Sequence, residues 1–224
     1  MAFDGLLITE IFYSLQGETS LSGVPFTFIR LTGCNLRCTY CDSAYSFKGG
    51  TRMSFDEVLA QIKSHGSKQV LMTGGEPLLQ RNSLSFIDRL RELGYEVSIE
   101  THGEVSIEAA SKKARIIMDI KTPGSGMSRG GYETNFKFLK PSDEIKFVIT
   151  SDQDYEFARD WVRSGKLPTR EILFSPALLA LNSPGTFAGI HPRKLAERIL
   201  EDKLQVRFQY QLHKLLWGAD TKGV

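Results

Sequence analysis

Cys34, Cys38 and Cys41 stand at i, i+4 and i+7 in the stretch G-C-N-L-R-C-T-Y-C-D (33–42), and the chain contains no other cysteine. A disulfide scheme would leave one thiol unpaired. Tetrahedral zinc would be one ligand short, with no histidine following at finger spacing. The spacing also fits one face of a helix, where cysteine packs as a small hydrophobe. Against that, Leu36 is the single aliphatic residue among them, and Gly33, Asn35, Arg37 and Thr39 suit a loop. The fourth reading is an iron–sulfur cluster, whose irons are held by thiolates. Three thiolates on a four-iron cube leave one iron open to an outside ligand.

Other residues have chemistry to offer. Thr73-Gly74-Gly75-Glu76-Pro77 combines glycines that let backbone approach a ligand with a carboxylate able to accept from an ammonium group. A glycine turn with a surface glutamate is the plainer reading of the same residues. Asp42-Ser43, directly after the last cysteine, reads as a turn or helix cap. Arg30, within F-T-F-I-R-L, needs a partner, either a protein carboxylate or an acidic ligand. His65, His102 and His191 lack a partner pattern and read as structural.

These residues need elements to position them. Strands are expected over 6–12, 26–31, 69–73, 96–101, 115–120, 144–150, 171–175 and 204–211. Helices are expected over 84–93, 105–113, 152–164 and 192–202, and from Ser54 to about Gly66, where Ser54-x-x-Glu57 has capping-box spacing. Ser151 or Asp152 caps the helix over 152–164, and Pro192 suits a first turn. Strand, helix, strand in repetition argues for α/β architecture with a parallel sheet. The cysteine loop, Gly74 to Glu76, Thr101 to Gly103, Lys121 and Ser175 all follow strands, where α/β folds assemble their sites. One site built from several strand ends accounts for them together.

The totals bound the partners. At 224 residues, with 41% hydrophobic and 24% charged residues, one sizeable core is expected, with no linker dividing it. A net charge of +2 gives no argument for nucleic acid or an anionic membrane. No apolar run approaches the roughly 18 residues that span a bilayer. Met1-Ala2-Phe3-Asp4 lacks the basic start and apolar core of a secretory signal. Clustered free thiols suit a reducing cytoplasm.

C-x-x-x-C-x-x-C with Tyr40 before the last cysteine resembles the signature of the radical S-adenosylmethionine (SAM) superfamily, and Gly74-Gly75-Glu76-Pro77 resembles its G-G-E-P segment. The resemblance implies a partial (β/α)6-type barrel and a [4Fe-4S] cluster on Cys34, Cys38 and Cys41. It also implies that SAM fills the open iron. SAM contacts are implied at Tyr40, Cys41, Asp42, Gly74, Gly75, Glu76, Asp119, Ile120 and Lys121, and near the adenosine at Ser175. Many relatives carry Ser-Pro-Lys where this chain has Asp119-Ile120-Lys121.

A narrower resemblance is to the 7-carboxy-7-deazaguanine synthases of queuosine-type biosynthesis. It is carried by Ser14-Leu15-Gln16-Gly17-Glu18, Arg30, Asp42-Ser43 and Gln211-Leu212-His213-Lys214. It implies Mg2+ on Ser43, a substrate carboxylate on Arg30, and a pterin edge bound by Leu15, Gln16, Gly17, Glu18 and Thr73, with His213 nearby. The implied reaction begins when a flavodoxin-type reductant feeds the cluster and SAM yields a 5′-deoxyadenosyl radical. Hydrogen leaves C6 of 6-carboxy-5,6,7,8-tetrahydropterin, the ring contracts, and ammonia departs. A homodimer is expected, each chain being one domain over 1–224 with an N-terminal strand/loop extension and a C-terminal substrate-capping segment. A glycyl-radical activating enzyme and a non-catalytic metal or redox sensor are the alternatives. The 14–18 and 211–214 segments argue against the first, and Gly74–Pro77 against the second.

Overall fold

The computed structural model describes residues 4–178, 189–218 and 221–224. Its strands are β1 (Gly5–Leu15), β2 (Pro25–Leu31), β3 (Thr51–Ser54), β4 (Gln69–Gly74), β5 (Glu96–Thr101), β6 (Arg115–Asp119), β7 (Glu144–Ile149), β8 (Glu171–Pro176) and β9 (Arg207–Phe208). Its helices are α1 (Phe55–His65), α2 (Ser83–Glu92), α3 (Glu108–Ser111), α4 (Asp152–Arg163), α5 (Pro192–Glu201) and α6 (Leu212–Trp217). Among the described residues the strands form one nine-stranded sheet in the order β3-β1-β2-β4-β5-β6-β7-β8-β9.

From β2 through β9 every pairing is parallel, in keeping with the expected partial (β/α)6 barrel. The edge departs from an all-parallel sheet, because β1 pairs antiparallel with both β2 and β3. Residues 16–24 are too short to carry a crossover, so β2 must return alongside β1. Two further expectations are corrected. The helix expected over 105–113 is confined to α3. The strand expected over 204–211 keeps two residues paired with β8, after which Gln209 N–H donates to Phe174 O (2.9 Å) and the chain turns into α6.

The helices start where their caps dictate. Ser54 and Glu57 form the reciprocal capping box of α1, and Gly66 closes it at φ 74°. Ser151 Oγ accepts from Asp154 N–H at the start of α4. Val58, Leu59 and Ile62 of α1, Phe86, Ile87 and Leu90 of α2, Tyr155 and Ala158 of α4 and Leu195 and Ile199 of α5 pack on the outer face of the sheet as the main core.

The inner face is different. Side chains alternate across a strand, so Phe26, Phe28 and Arg30 share one face of β2. Leu71 and Thr73 do so on β4, Ile117 and Asp119 on β6, and Glu144, Lys146 and Val148 on β7. Phe26, Phe28, Leu71 and Ile117 form a small second core with Phe12 and Leu21 packed against it. Toward the C-terminal strand ends the same face turns polar, and there it opens into a cavity.

Candidate functional site

The cavity encloses about 620 Å³. Its wall includes Cys34, Cys38, Tyr40, Cys41, Asp42 and Ser43 from the loop after β2, and Gly74 and Gly75 from the end of β4. Leu15 comes from the end of β1, Gln16, Gly17 and Glu18 from the loop after it, Arg30 and Thr73 from the strands, Asp119 and Lys121 from the end of β6, and His213 from α6. Sequence segments spread from residue 15 to residue 213 thus meet on one surface.

Backbone contacts hold the cysteine loop from several sides. Gly33 N–H donates to Ser46 O (2.8 Å), Thr39 N–H to Ser125 O (3.0 Å) and Glu76 N–H to Gly33 O (2.7 Å). A Cβ on Gly75 would lie 2.0 Å from Gly33 O and 2.9 Å from Cys34 Cβ, so only glycine lets the two loops touch. All three thiols are free and half-buried, and burial pushes each of their pKa values up. Thiols kept protonated in this way become ligands only when a metal displaces the proton.

Several features fit a cluster with a bound SAM. Three thiols share a wall beside the Gly74-Gly75 cradle, Asp119 lines the same wall, and its buried Oδ1 has no hydrogen-bond partner. Among the described residues no three His, Cys, Asp or Glu side chains converge as a single ion would require. A cube presents a separate iron to each thiolate, so the three thiols need share only a wall.

The surroundings of Ser43 do not make a magnesium site by themselves. Ser43 Oγ donates to Asp42 Oδ1 (3.0 Å) and accepts from the cationic Arg30 Nη1 (3.1 Å). Arg30 also donates through Nε to Glu10 Oε1 (2.6 Å), which accepts from Tyr45 Oη as well (2.6 Å). Asp42 pairs with Lys214 Nζ (2.9 Å). Burial would raise the Asp42 pKa, but Lys214 and Arg30 hold it well below the usual carboxylate range.

Three of the residues singled out from sequence do not reach the cavity wall. Ile120 is fully buried in the main core, and Ser175 is buried within β8. Glu76 is fully buried too, and its carboxylate accepts from Thr101 Oγ1, His102 N–H and Leu78 N–H. Its backbone meets the cysteine loop, while its side chain braces the turn after β5.

The structure also adds residues. Lys146 and Glu100 line the cavity, with Lys146 Nζ 2.8 Å from Glu18 Oε2 and in contact with Glu100. Each is a lone charge within an otherwise uncharged stretch of its strand, V-S-I-E-T and I-K-F-V-I, and the buried Lys146 ammonium demands a partner. Gln209 was equally hidden. Its side chain accepts from Thr19 N–H (2.8 Å) and donates to Thr19 O (3.3 Å), holding a β-branched residue at φ 68° beside Glu18.

Comparison with known proteins places this geometry. The profile of the Radical SAM superfamily matches residues 28–123. The 7-carboxy-7-deazaguanine synthase of Koribacter versatilis is 46% identical over 225 residues, covering 97% of this chain and 99% of that protein. The synthase of Chlorobaculum tepidum is 37% identical, covering 98% and 97%, and that of Thermoplasma acidophilum 38%, covering 98% and 100%. The crystal structure of QueE from Escherichia coli shares the fold, with a TM-score of 0.70 at 23% identity over 94% of this chain and 97% of that one. The strand-end cavity, its three thiols and this near-full-length similarity lead to one conclusion: the chain belongs to the 7-carboxy-7-deazaguanine synthase family of radical SAM enzymes.

Proposed function

We propose that this protein converts 6-carboxy-5,6,7,8-tetrahydropterin to 7-carboxy-7-deazaguanine with loss of ammonia, as a radical SAM carbon–nitrogen lyase. The observation that carries the reading is the single cavity in which the three thiols face Glu18, Arg30 and Thr73, within a chain similar to these synthases over nearly its whole length.

Cys34, Cys38 and Cys41 would hold the [4Fe-4S] cluster, with SAM against Tyr40, Asp42, Gly74, Gly75, Asp119 and Lys121. Cluster and SAM together supply the radical chemistry. The protein supplies position and charge. Lys121 Nζ pairs with Asp119 Oδ2 (2.9 Å), which leaves Oδ1 to accept from an amino or hydroxyl donor. Glu76, Ile120 and Ser175 act from behind the wall, supporting backbone that a ligand would touch.

On the substrate side, Glu10 fixes the Arg30 guanidinium through Nε, and Nη1 is directed toward Ser43, where the substrate carboxylate is proposed to bind. A magnesium ion at Ser43 would need that carboxylate and waters to complete its roughly six oxygens. Burial would raise the Glu18 pKa, but Lys146 and His213 bring it down to about 2, so the group is an ionised acceptor for the pterin N–H edge. His213 packs so closely that a Cβ on Gly17 would lie 2.2 Å from its Nδ1. The C-terminal segment is thereby proposed to cap the substrate, with residues 1–224 acting as one domain.

The protein is further proposed to be a cytoplasmic homodimer served by a flavodoxin-type reductant, with no nucleic-acid or membrane partner. Among the described residues no helix is long and apolar enough to cross a membrane.

The test is anaerobic incubation of cluster-reconstituted protein with SAM, dithionite and the pterin. Both 5′-deoxyadenosine and 7-carboxy-7-deazaguanine are expected. Appearance of the first without the second would overturn the substrate assignment.

A further inference from the structure

Lys146 lies outside every segment through which the sequence resembles this family, yet its ammonium lies where the charges of the cavity meet. Nζ is 2.8 Å from Glu18 Oε2, in hydrogen-bond contact with Glu100 Oε1 and 3.5 Å from Asp119 Oδ2, and its side chain is 4% exposed. The three carboxylates come from the loop after β1, from β5 and from β6. Each also reaches outward. Glu18 Oε1 accepts from Gln211 (2.9 Å), Glu100 Oε2 accepts from Thr73 Oγ1 (3.2 Å), and Asp119 is shared with Lys121.

One carboxylate would suffice to neutralise a buried ammonium. Three of them, against the two ammonium groups of Lys146 and Lys121, leave acceptor capacity in excess at the cavity wall. Ligands rich in N–H donors would use that capacity. Burial opposes the charge on Lys146, but Glu100, Glu18 and Asp119 hold its pKa well above the usual lysine value, so the ammonium is permanent.

We propose that Lys146 is a positioning residue that ties the pterin side of the cavity to the SAM side, so that filling either side tightens the other. The proposal rests on the pocket assignment made above. With the pterin side empty, the ammonium is divided among three carboxylates and stands farthest from Asp119. Pterin donors taken up by Glu18 relieve its demand on Lys146, which then settles between Glu100 and Asp119. Asp119 is thereby held in place at the SAM side of the wall. Linkage requires the effect to be reciprocal.

The experiment is equilibrium binding of SAM to anaerobic, cluster-reconstituted protein without reductant, in the presence and absence of 6-carboxy-5,6,7,8-tetrahydropterin. In the parent protein the pterin is expected to tighten SAM by about fivefold or more. Lys146→Arg is expected to keep that coupling. Lys146→Met with Glu100→Gln, which removes one charge of each sign from the cavity wall and so guards against misfolding, is expected to bring the factor to within about twofold of unity. Coupling that survives in the double variant overturns the proposal, as does a parent protein that binds both ligands independently. A parent that binds SAM but no pterin overturns the pocket assignment itself, and the role of Lys146 with it.

Discussion

Glu18 and Glu76 start from the same chemistry and reach opposite ends of the carboxylate range. Glu18 has Lys146 and His213 beside it, and its pKa falls from 4.5 to about 2 despite burial. Its contribution to stability is therefore present above 4.5 and lost as the pH falls toward about 2. Burial dominates at Glu76 and pushes its pKa up to about 7, against the pull of the His102 and Leu78 N–H groups and the Thr101 hydroxyl. The unfolded chain releases that proton near 4.5, so between 4.5 and about 7 the folded state binds more protons than the unfolded one. Stability must then fall as the pH rises through that window, with the loss complete above it. Glu76→Gln is expected to flatten this slope, as read by denaturant unfolding at a series of pH values. A slope unchanged in the variant would show that Glu76 is ionised throughout. From sequence, Glu76 reads as a ligand-facing carboxylate; only burial and Thr101, which is twenty-five residues away in sequence, reveal its bracing role.

At the scale of elements, the helices follow local rules and the ends of the sheet do not. Ser151 caps α4 through Asp154 N–H (3.2 Å). Asp154 in turn accepts from Gly124 N–H (2.7 Å) and Thr150 N–H (2.9 Å), tying the helix start to the loop beneath the cysteines. Ser151→Ala is expected to lower stability by about 1 kcal/mol, measured as a shift in the urea midpoint at unchanged slope. The caps at Ser54 and Ser151 were readable because a cap is decided by residues three positions apart. The short β9 was not. A strand is expected over 204–211, but whether a strand forms depends on a partner, and among the described residues β8 pairs with β9 at Leu173 with Arg207 and Phe174 with Phe208. Beyond that point Gln209 and Gln211 turn their amides to Thr19 and Glu18 instead.

Across the whole molecule, two distant parts of the chain close over one cavity. Leu212 N–H donates to Gly17 O (2.9 Å), joining α6 to the loop after β1, and Lys214 Nζ reaches Asp42 beside the last cysteine (2.9 Å). Lys214 also donates to Leu178 O (2.7 Å), so one side chain links three segments. Lys214→Met is expected to loosen that closure and raise the pterin KM by about tenfold, or about 1.4 kcal/mol of binding, with a smaller change in kcat. Steady-state kinetics of the anaerobic enzyme would check it, and an unchanged KM would confine Lys214 to a structural role.

The sequence by itself determined the chemistry available and most of the scaffold. Three thiols at fixed spacing, a double glycine after a strand and the repeated strand–helix pattern are local facts, set by residues near one another in the chain. Tertiary structure decided which charges face one another. Lys146, Glu100, Glu18 and Asp119 are separated by at least nineteen residues in sequence, and no local pattern distinguishes them from solvated charges. Strands β5, β6 and β7 place Glu100, Asp119 and Lys146 on one inner face, and the loop after β1 brings Glu18 against them. The buried Lys146 ammonium demands those partners, a pairing that gives the cavity its charge.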